Sequence, residues 1–148
     1  MDECSVQRFL DAHENGCGAC PDYQTALSEI RSGEKKSHWM WYIFPQLRGL
    51  ARYPSEVTRY FELDGEQEAL LFIRHPVLRA HLAEISRALL ELDTCDPLSV
   101  FEEIDAYKLR SCMTLFSVLA PEETVFAEVL EKYCMGMRDE RTLRMLHK

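Results

Sequence analysis

Six consecutive bulky residues, Trp39-Met40-Trp41-Tyr42-Ile43-Phe44, stand directly behind the tetrad Lys35-Lys36-Ser37-His38. On a helix their side chains cover every face, and on a strand they cover both, so either geometry requires burial on all sides. One outcome is a central core element with a satisfied histidine, because aromatic runs usually make cores. The other is a pocket with Lys36, Ser37 and His38 at its lip and Trp39 and Trp41 as its floor. Indole faces there would stack on a planar ligand, while the cations and a helix N-terminus capped by Ser37 hold an anion. The residues themselves leave both outcomes open.

The segments around this run read as helices. Tyr23, Ala26, Leu27 and Ile30 recur at helical spacing between a capping Asp22 and a terminating Gly33, with a shorter helix before them from Ser5. Pro45 and Gly49 break the pattern, and Ser55 caps a short helix over SEVTRYFEL. Asp64, three residues before Gln67, suggests a variant capping box for the next one. Pro76 then opens a long helix in which Val77, Leu78, Leu82, Ile85, Ala88, Leu89 and Leu92 form one apolar stripe. DAYKLRSCMTLFSVLA, PEETVFAEVLEKY and DERTLRMLHK complete the series. Strand alternation is nearly absent. The expectation is an all-α protein, a single compact orthogonal multi-helical domain over residues 1–148 with about eight helices, at least half of its residues helical.

Charge and cysteine content narrow the partners. A net charge of −8 argues against binding duplex nucleic acid, which needs Lys and Arg to neutralise phosphates. The charge is uneven, however: residues 31–59 carry six basic side chains against Glu34 and Glu56, a local excess of +4. A small anionic ligand near the aromatic run fits that excess. No apolar run reaches the roughly 18 residues that span a bilayer, and the N-terminus lacks the pattern of a signal peptide, so a cytoplasmic protein without membrane contact is expected. Its six cysteines, Cys4, Cys17, Cys20, Cys95, Cys112 and Cys134, then read as free thiols.

Three further features bear on chemistry. On the helix from Asp105 to Phe116, Arg110, Ser111, Thr114 and Ser117 make a narrow polar arc, while Lys108 falls among apolar positions. Its ammonium must snorkel outward or meet a partner, for which Asp105 is one turn away. A desolvated lysine beside a carboxylate is a candidate acid or base. The Cys17-Gly18-Ala19-Cys20 motif, with His13 upstream and Cys4 farther back, has no second pair at zinc-site spacing and reads as a turn, so no metal is expected. His81 sits in the middle of the apolar stripe, which predicts a hydrogen-bonded core histidine, with the same pocket as Lys108 as its other destination. His75, before Pro76, reads as a turn residue. Signatures of dinucleotide folds, P-loops, nucleophile elbows and zinc proteases are absent, and no cofactor is expected.

The motifs SHWMWYIFPQ, YKLRSCMTLF and FAEVLEKYCMGMRDERTLRML, over a stretch from Gln7 to Leu146, resemble the uncharacterised family DUF1810, a domain of unknown function. Some members carry the label calpastatin, but an inhibitor segment of that kind would be disordered and poor in aromatic residues. The resemblance implies a mainly helical fold and brings no activity with it. It singles out Lys36, Ser37, His38, Trp39, Met40, Trp41, Ile43, Phe44, Pro45 and Gln46, then Lys108, Arg110, Ser111, Met113, Thr114, Leu115 and Phe116 as motif positions. The CGAC insertion and Cys112, where a second serine is common, depart from the family pattern.

The functional expectation is a cleft for a small anionic or nucleotide-like ligand, lined by Lys36, Ser37, Trp39, Trp41, Gln46, Arg110 and Ser111. His38 would be its general acid or base and Lys108 or Arg110 its anion holder, with hydrolysis of a nucleotide-linked or glycosidic bond as the candidate reaction. The alternative is a protein–protein interaction module that uses SHWMW as a hydrophobic anchor. A concave site enclosing the indoles would separate it from a flat exposed patch.

Overall fold

Capping side chains mark half of the helix starts. Asp22 accepts the Thr25 N–H at 3.0 Å, Ser55 accepts the Thr58 N–H at 3.2 Å, and His75 Nδ1 accepts the Val77 N–H at 3.2 Å with Pro76 in the first helical position. The computed structural model describes residues 3–147. After a 3-10 turn, Glu3–Val6, come α1 (Gln7–Asn15), α2 (Tyr23–Ser32), α3 (Met40–Ile43), α4 (Glu56–Phe61) and α5 (Gly65–Arg74). Then follow α6 (Pro76–Glu91), α7 (Pro97–Val100), α8 (Glu103–Leu119), α9 (Val125–Cys134) and α10 (Glu140–Met145). The protein is 66% helical and all-α, with no strand among the described residues. The two helices beyond the expected count are single turns, α3 inside the aromatic run and α7 behind Asp96.

Local expectations fail in three places. Ser37 does not cap a helix: α3 starts at Met40, with Trp39 as its cap residue and no side-chain cap bond. At α5, the Asp64 side chain makes no cap bond, and Glu68 rather than Gln67 reaches back to the Asp64 N–H, at 2.9 Å. Glu68 is drawn there because Arg8 of α1 grips both of its carboxylate oxygens, at 2.7 and 3.1 Å. On α6, Leu78, Leu82, Ile85, Ala88 and Leu89 are buried as expected, but Val77 is 44% exposed. At the other end of α6 the Lys132 ammonium donates to the carbonyls of Leu89, Leu90 and Leu92.

The core is a chain of rings. Phe9 meets Phe72 edge-on at 5.0 Å, Phe72 stacks on Phe116 at 5.5 Å, and Phe116 continues to Phe126. Packed against α9, α5, α10 and α7, α8 carries the middle of this chain, while α6 packs on α9, α2 and α5. Trp39, Met40, Tyr42, Ile43 and Phe44 are all buried, so the aromatic run is a core element on every face except that of half-buried Trp41.

Gly16 closes α1 with φ 73° and ψ −166°, a region essentially reserved for glycine. An added Cβ would lie 2.2 Å from the Cys20 carbonyl oxygen. Gly16→Ala is therefore expected to cost about 2 kcal/mol or more in urea unfolding, against the few tenths of a surface change. A cost below about 0.5 kcal/mol would show that this turn is not held as described.

Candidate ligand-binding cleft

One carboxylate organises the chain leading into the aromatic run. Glu29 on α2 accepts the N–H groups of Lys36 and Ser37 at 2.7 and 2.9 Å, the Trp39 indole N–H at 2.9 Å and the Ser37 hydroxyl at 2.5 Å. Burial pushes the Glu29 carboxyl up, but the hydrogen bonds from Ser37, Trp39 and the Lys36 and Ser37 backbone outweigh it and hold the pKa below the usual carboxylate range. This role had no sequence signal, because a glutamate on the polar side of an amphipathic helix reads as solvated.

Beside it, Lys35 pairs with Asp105 of α8 at 3.0 Å, both side chains mostly buried, with the ammonium 5.1 Å from the Trp39 ring centroid. Asp105 is thus the partner of Lys35, not of Lys108. The Lys108 ammonium lies 5.8 Å from the Trp41 ring centroid and has no hydrogen bond or salt bridge among the described residues. Burial lowers its pKa, Asp105 opposes that shift, and the Lys35 charge adds to it.

Lys108 borders a cleft of about 420 Å³ between the 46–58 segment and α8. Gln46, Thr58, Tyr107, Ser111 and Arg52 also line it, as do Asp139 and Arg141 from the start of α10. Backbone bonds frame its wall: Arg48 N–H to Leu63 O at 2.9 Å and Leu63 N–H to Gln46 O at 3.0 Å. Arg141 is fixed by donating to the Leu50 and Gly49 carbonyls at 3.1 Å each. A narrow extension bounded by Trp41, Phe44, Phe61 and Glu62 shares Gln46, Thr58 and Lys108 with the main cleft.

Of the expected site residues, Gln46, Lys108 and Ser111 come together in this cleft, with Trp41 at its inner end. Trp39 is 0% exposed, its indole N–H committed to Glu29, and therefore cannot be a stacking floor. The Ser37 hydroxyl is likewise committed to Glu29. Lys36 and His38 are exposed and do not line the cleft, although the His38 ring sits 6.4 Å from that of Trp41. Arg110 lies across α8 from Lys108, since two residues advance a helix by about 200°. There it lines a separate groove with Tyr133, Cys134 and Met135 and donates to the Arg138 carbonyl at 3.1 Å. In the SHWMW segment Trp39 and Met40 are buried and Trp41 is half-buried, so none of its large apolar side chains is fully exposed. Thr58, Tyr107 and Arg52 are cleft residues that sequence reasoning passed over; Asp139 and Arg141 reach it only through the tertiary fold.

The other sequence candidates lie elsewhere. Cys17 and Cys20 exchange two backbone hydrogen bonds in a tight hairpin, at 2.9 and 3.0 Å, and both pack partly buried against the core. No group of three metal-ligating side chains occurs among the described residues; the Cys4 side chain lies outside them. His81 is hydrogen-bonded as expected, to His13 at 2.9 Å, but it lines a groove distinct from that of Lys108. Among the described residues no helix is long and apolar enough to cross a membrane.

An all-α architecture, built on a buried aromatic segment clamped by a carboxylate and flanked by a basic cleft, is the class these observations define. The chain belongs to the family described as protein of unknown function (DUF1810), whose profile matches residues 3–146. It is also similar to the crystal structure of the conserved hypothetical protein Rv1873 from Mycobacterium tuberculosis, with 31% identity, 99% of each chain covered and a TM-score of 0.89. A search of the curated proteins finds no match.

Proposed function

We propose that this protein binds a small anionic ligand with a planar group in the Lys108 cleft. The observation that carries the reading is the Lys108 ammonium: half-buried at the cleft wall, held over an indole and without a carboxylate of its own, since Lys35 has taken Asp105. A desolvated cation gains most from an anion that replaces its lost water. Arg52 supplies a second charge, and Tyr53 and Tyr107, 84% and 62% exposed, offer ring faces for a planar group. The carboxylate on the cleft wall, Asp139, is engaged in capping α10 through the Thr142 N–H and hydroxyl. That arrangement favours binding over acid–base chemistry here.

A thermal-shift screen against nucleoside monophosphates, sugar phosphates and inorganic phosphate tests the reading. A ligand at 100 times its dissociation constant adds about 2.7 kcal/mol of stability. Lys108→Met is expected to erase that gain while leaving the unliganded protein at least as stable, because the substitution removes an unpaired, half-buried charge. No stabilisation by any of these anions, or equal stabilisation in Lys108→Met, would refute it.

A further inference from the structure

The second groove, about 700 Å³ along α6, holds a histidine whose proton placement follows from its neighbours. His13 is 5% exposed, with Nε2 2.7 Å from the Tyr42 carbonyl oxygen and Nδ1 2.9 Å from His81 Nδ1. A carbonyl only accepts, so His13 Nε2 carries a hydrogen. Burial, opposed by the Tyr42 carbonyl and reinforced by His81, lowers the His13 pKa to about 4, which leaves it neutral at pH 7 with a lone pair on Nδ1. That lone pair must accept, so His81 Nδ1 carries the hydrogen of the shared bond. In neutral His81 the remaining nitrogen, Nε2, is then the basic one. It has no hydrogen-bond partner among the described residues and is not among the buried unpartnered atoms, so it is open to solvent, and His81 is one of the residues that line this groove.

The ring is also held in place. Tyr23 stacks on His81 at 3.8 Å with an interplanar angle of 3°, and its hydroxyl is fixed by the His81 carbonyl at 3.0 Å and Glu84 at 2.6 Å. Glu84, one turn along α6, favours a positive charge on His81 against the effect of burial. A purely structural histidine would use both nitrogens inside the protein. Here an interior carbonyl and an interior histidine are spent on orienting one outward lone pair, the arrangement a general base requires. Arg31, Arg79 and Arg87 line the same groove. Arg79 donates one N–H to Glu122 at 3.2 Å, and Arg79 and Arg87 reach Glu123 at 3.9 Å; Glu84, Glu91 and Glu123 share the groove, so a phosphoryl group would take the remaining guanidinium donors.

We propose that His81 is the proton acceptor of a hydrolytic site in this groove, acting on a small phosphate diester held by Arg31, Arg79 and Arg87. Water gives one proton to His81 Nε2 as its oxygen bonds to phosphorus. The ester P–O bond breaks, the departing oxygen takes the proton back from His81, and the neutral ring is restored. Glu84 faces the transient imidazolium, and the His81 Nδ1–H remains bonded to His13, a positioning residue.

Two measurements on the full chain test this. Nitrogen-15 NMR of the wild-type imidazoles at pH 7 should show the Nδ1–H tautomer for His81 and the Nε2–H tautomer for His13. In parallel, bis(p-nitrophenyl) phosphate hydrolysis should fall by about 100-fold or more in His81→Gln. His13→Asn should keep part of the activity and move the pH profile, which a role in folding alone would not do. An Nε2–H tautomer at His81, absence of hydrolysis by the wild type, or unchanged hydrolysis in His81→Gln would each overturn the proposal. The tautomer readout stands even if a variant fails to fold.

Discussion

Trp39→Ala is expected to lower the unfolding free energy by about 3–5 kcal/mol, the range for emptying a fully buried aromatic site. Its indole is 0% exposed, lies against Phe44 and donates to Glu29, so the truncation opens a cavity and releases one arm of the carboxylate clamp. Trp41→Ala is the matched comparison, because that ring is half-buried and faces the cleft; a loss under about 2 kcal/mol is expected. Urea unfolding at constant slope reads both. Equal losses would mean that the two tryptophans do not divide into core and cleft roles.

Acidification should cost about 3 kcal/mol between pH 6.5 and 4, beginning well above the range in which carboxylates titrate. The cause is His13, whose pKa of about 4 in the folded chain lies below the ordinary histidine value. The unfolded state therefore takes up the proton first, and stability falls as pH drops through the ordinary value, levelling off below the folded one. Around His13 stand His81, Tyr23 and Tyr42, with Glu84 beyond Tyr23; of these His81 is shifted in the same direction, by burial, and adds to the slope. Glu29 acts in a lower window. Its depressed pKa makes its contribution complete above the usual carboxylate range and lost as pH falls through its folded value. Chemical unfolding of wild type and His13→Gln across pH 3.5–7.5 separates the two, since the variant should lose most of the upper slope, retaining the part due to His81, and keep the lower. A wild-type stability flat between pH 6.5 and 4.5 would contradict the buried neutral histidine.

Helices were legible wherever a local rule decided them. Asp22 and Gly33 bracket α2, Ser55 starts α4 and Pro76 opens α6: Asp22 and Ser55 by a side chain accepting a nearby N–H, Gly33 by its left-handed backbone and Pro76 by its fixed φ. The burial demanded by the Trp39–Phe44 run was legible too, because no geometry exposes so many rings at once. What the sequence concealed depends on distant partners. Lys35 rather than Lys108 takes Asp105, because the segment before Trp39 docks against α8. Glu29 binds residues seven to ten positions ahead, across a turn whose path no periodicity describes. His13 and His81 are 68 residues apart and meet only because α1 and α6 pack together. The misplacement of Arg110 has a simpler origin: a motif written as a string ignores that neighbours two apart on a helix face opposite ways.

The anion-binding proposal turns on Lys108 as a desolvated cation without a carboxylate partner in its cleft. Carbon-13 labelling of the lysine side chains and an NMR titration of the Lys108 ε-carbon tests it most directly, in the free protein and with a stabilising phosphate compound present. The free protein should titrate Lys108 below the ordinary lysine value of about 10.4, and the bound anion should raise that pKa, since a nearby negative charge favours the ammonium. A Lys108 that titrates at the ordinary value and does not move when the anion is added would contradict the claim.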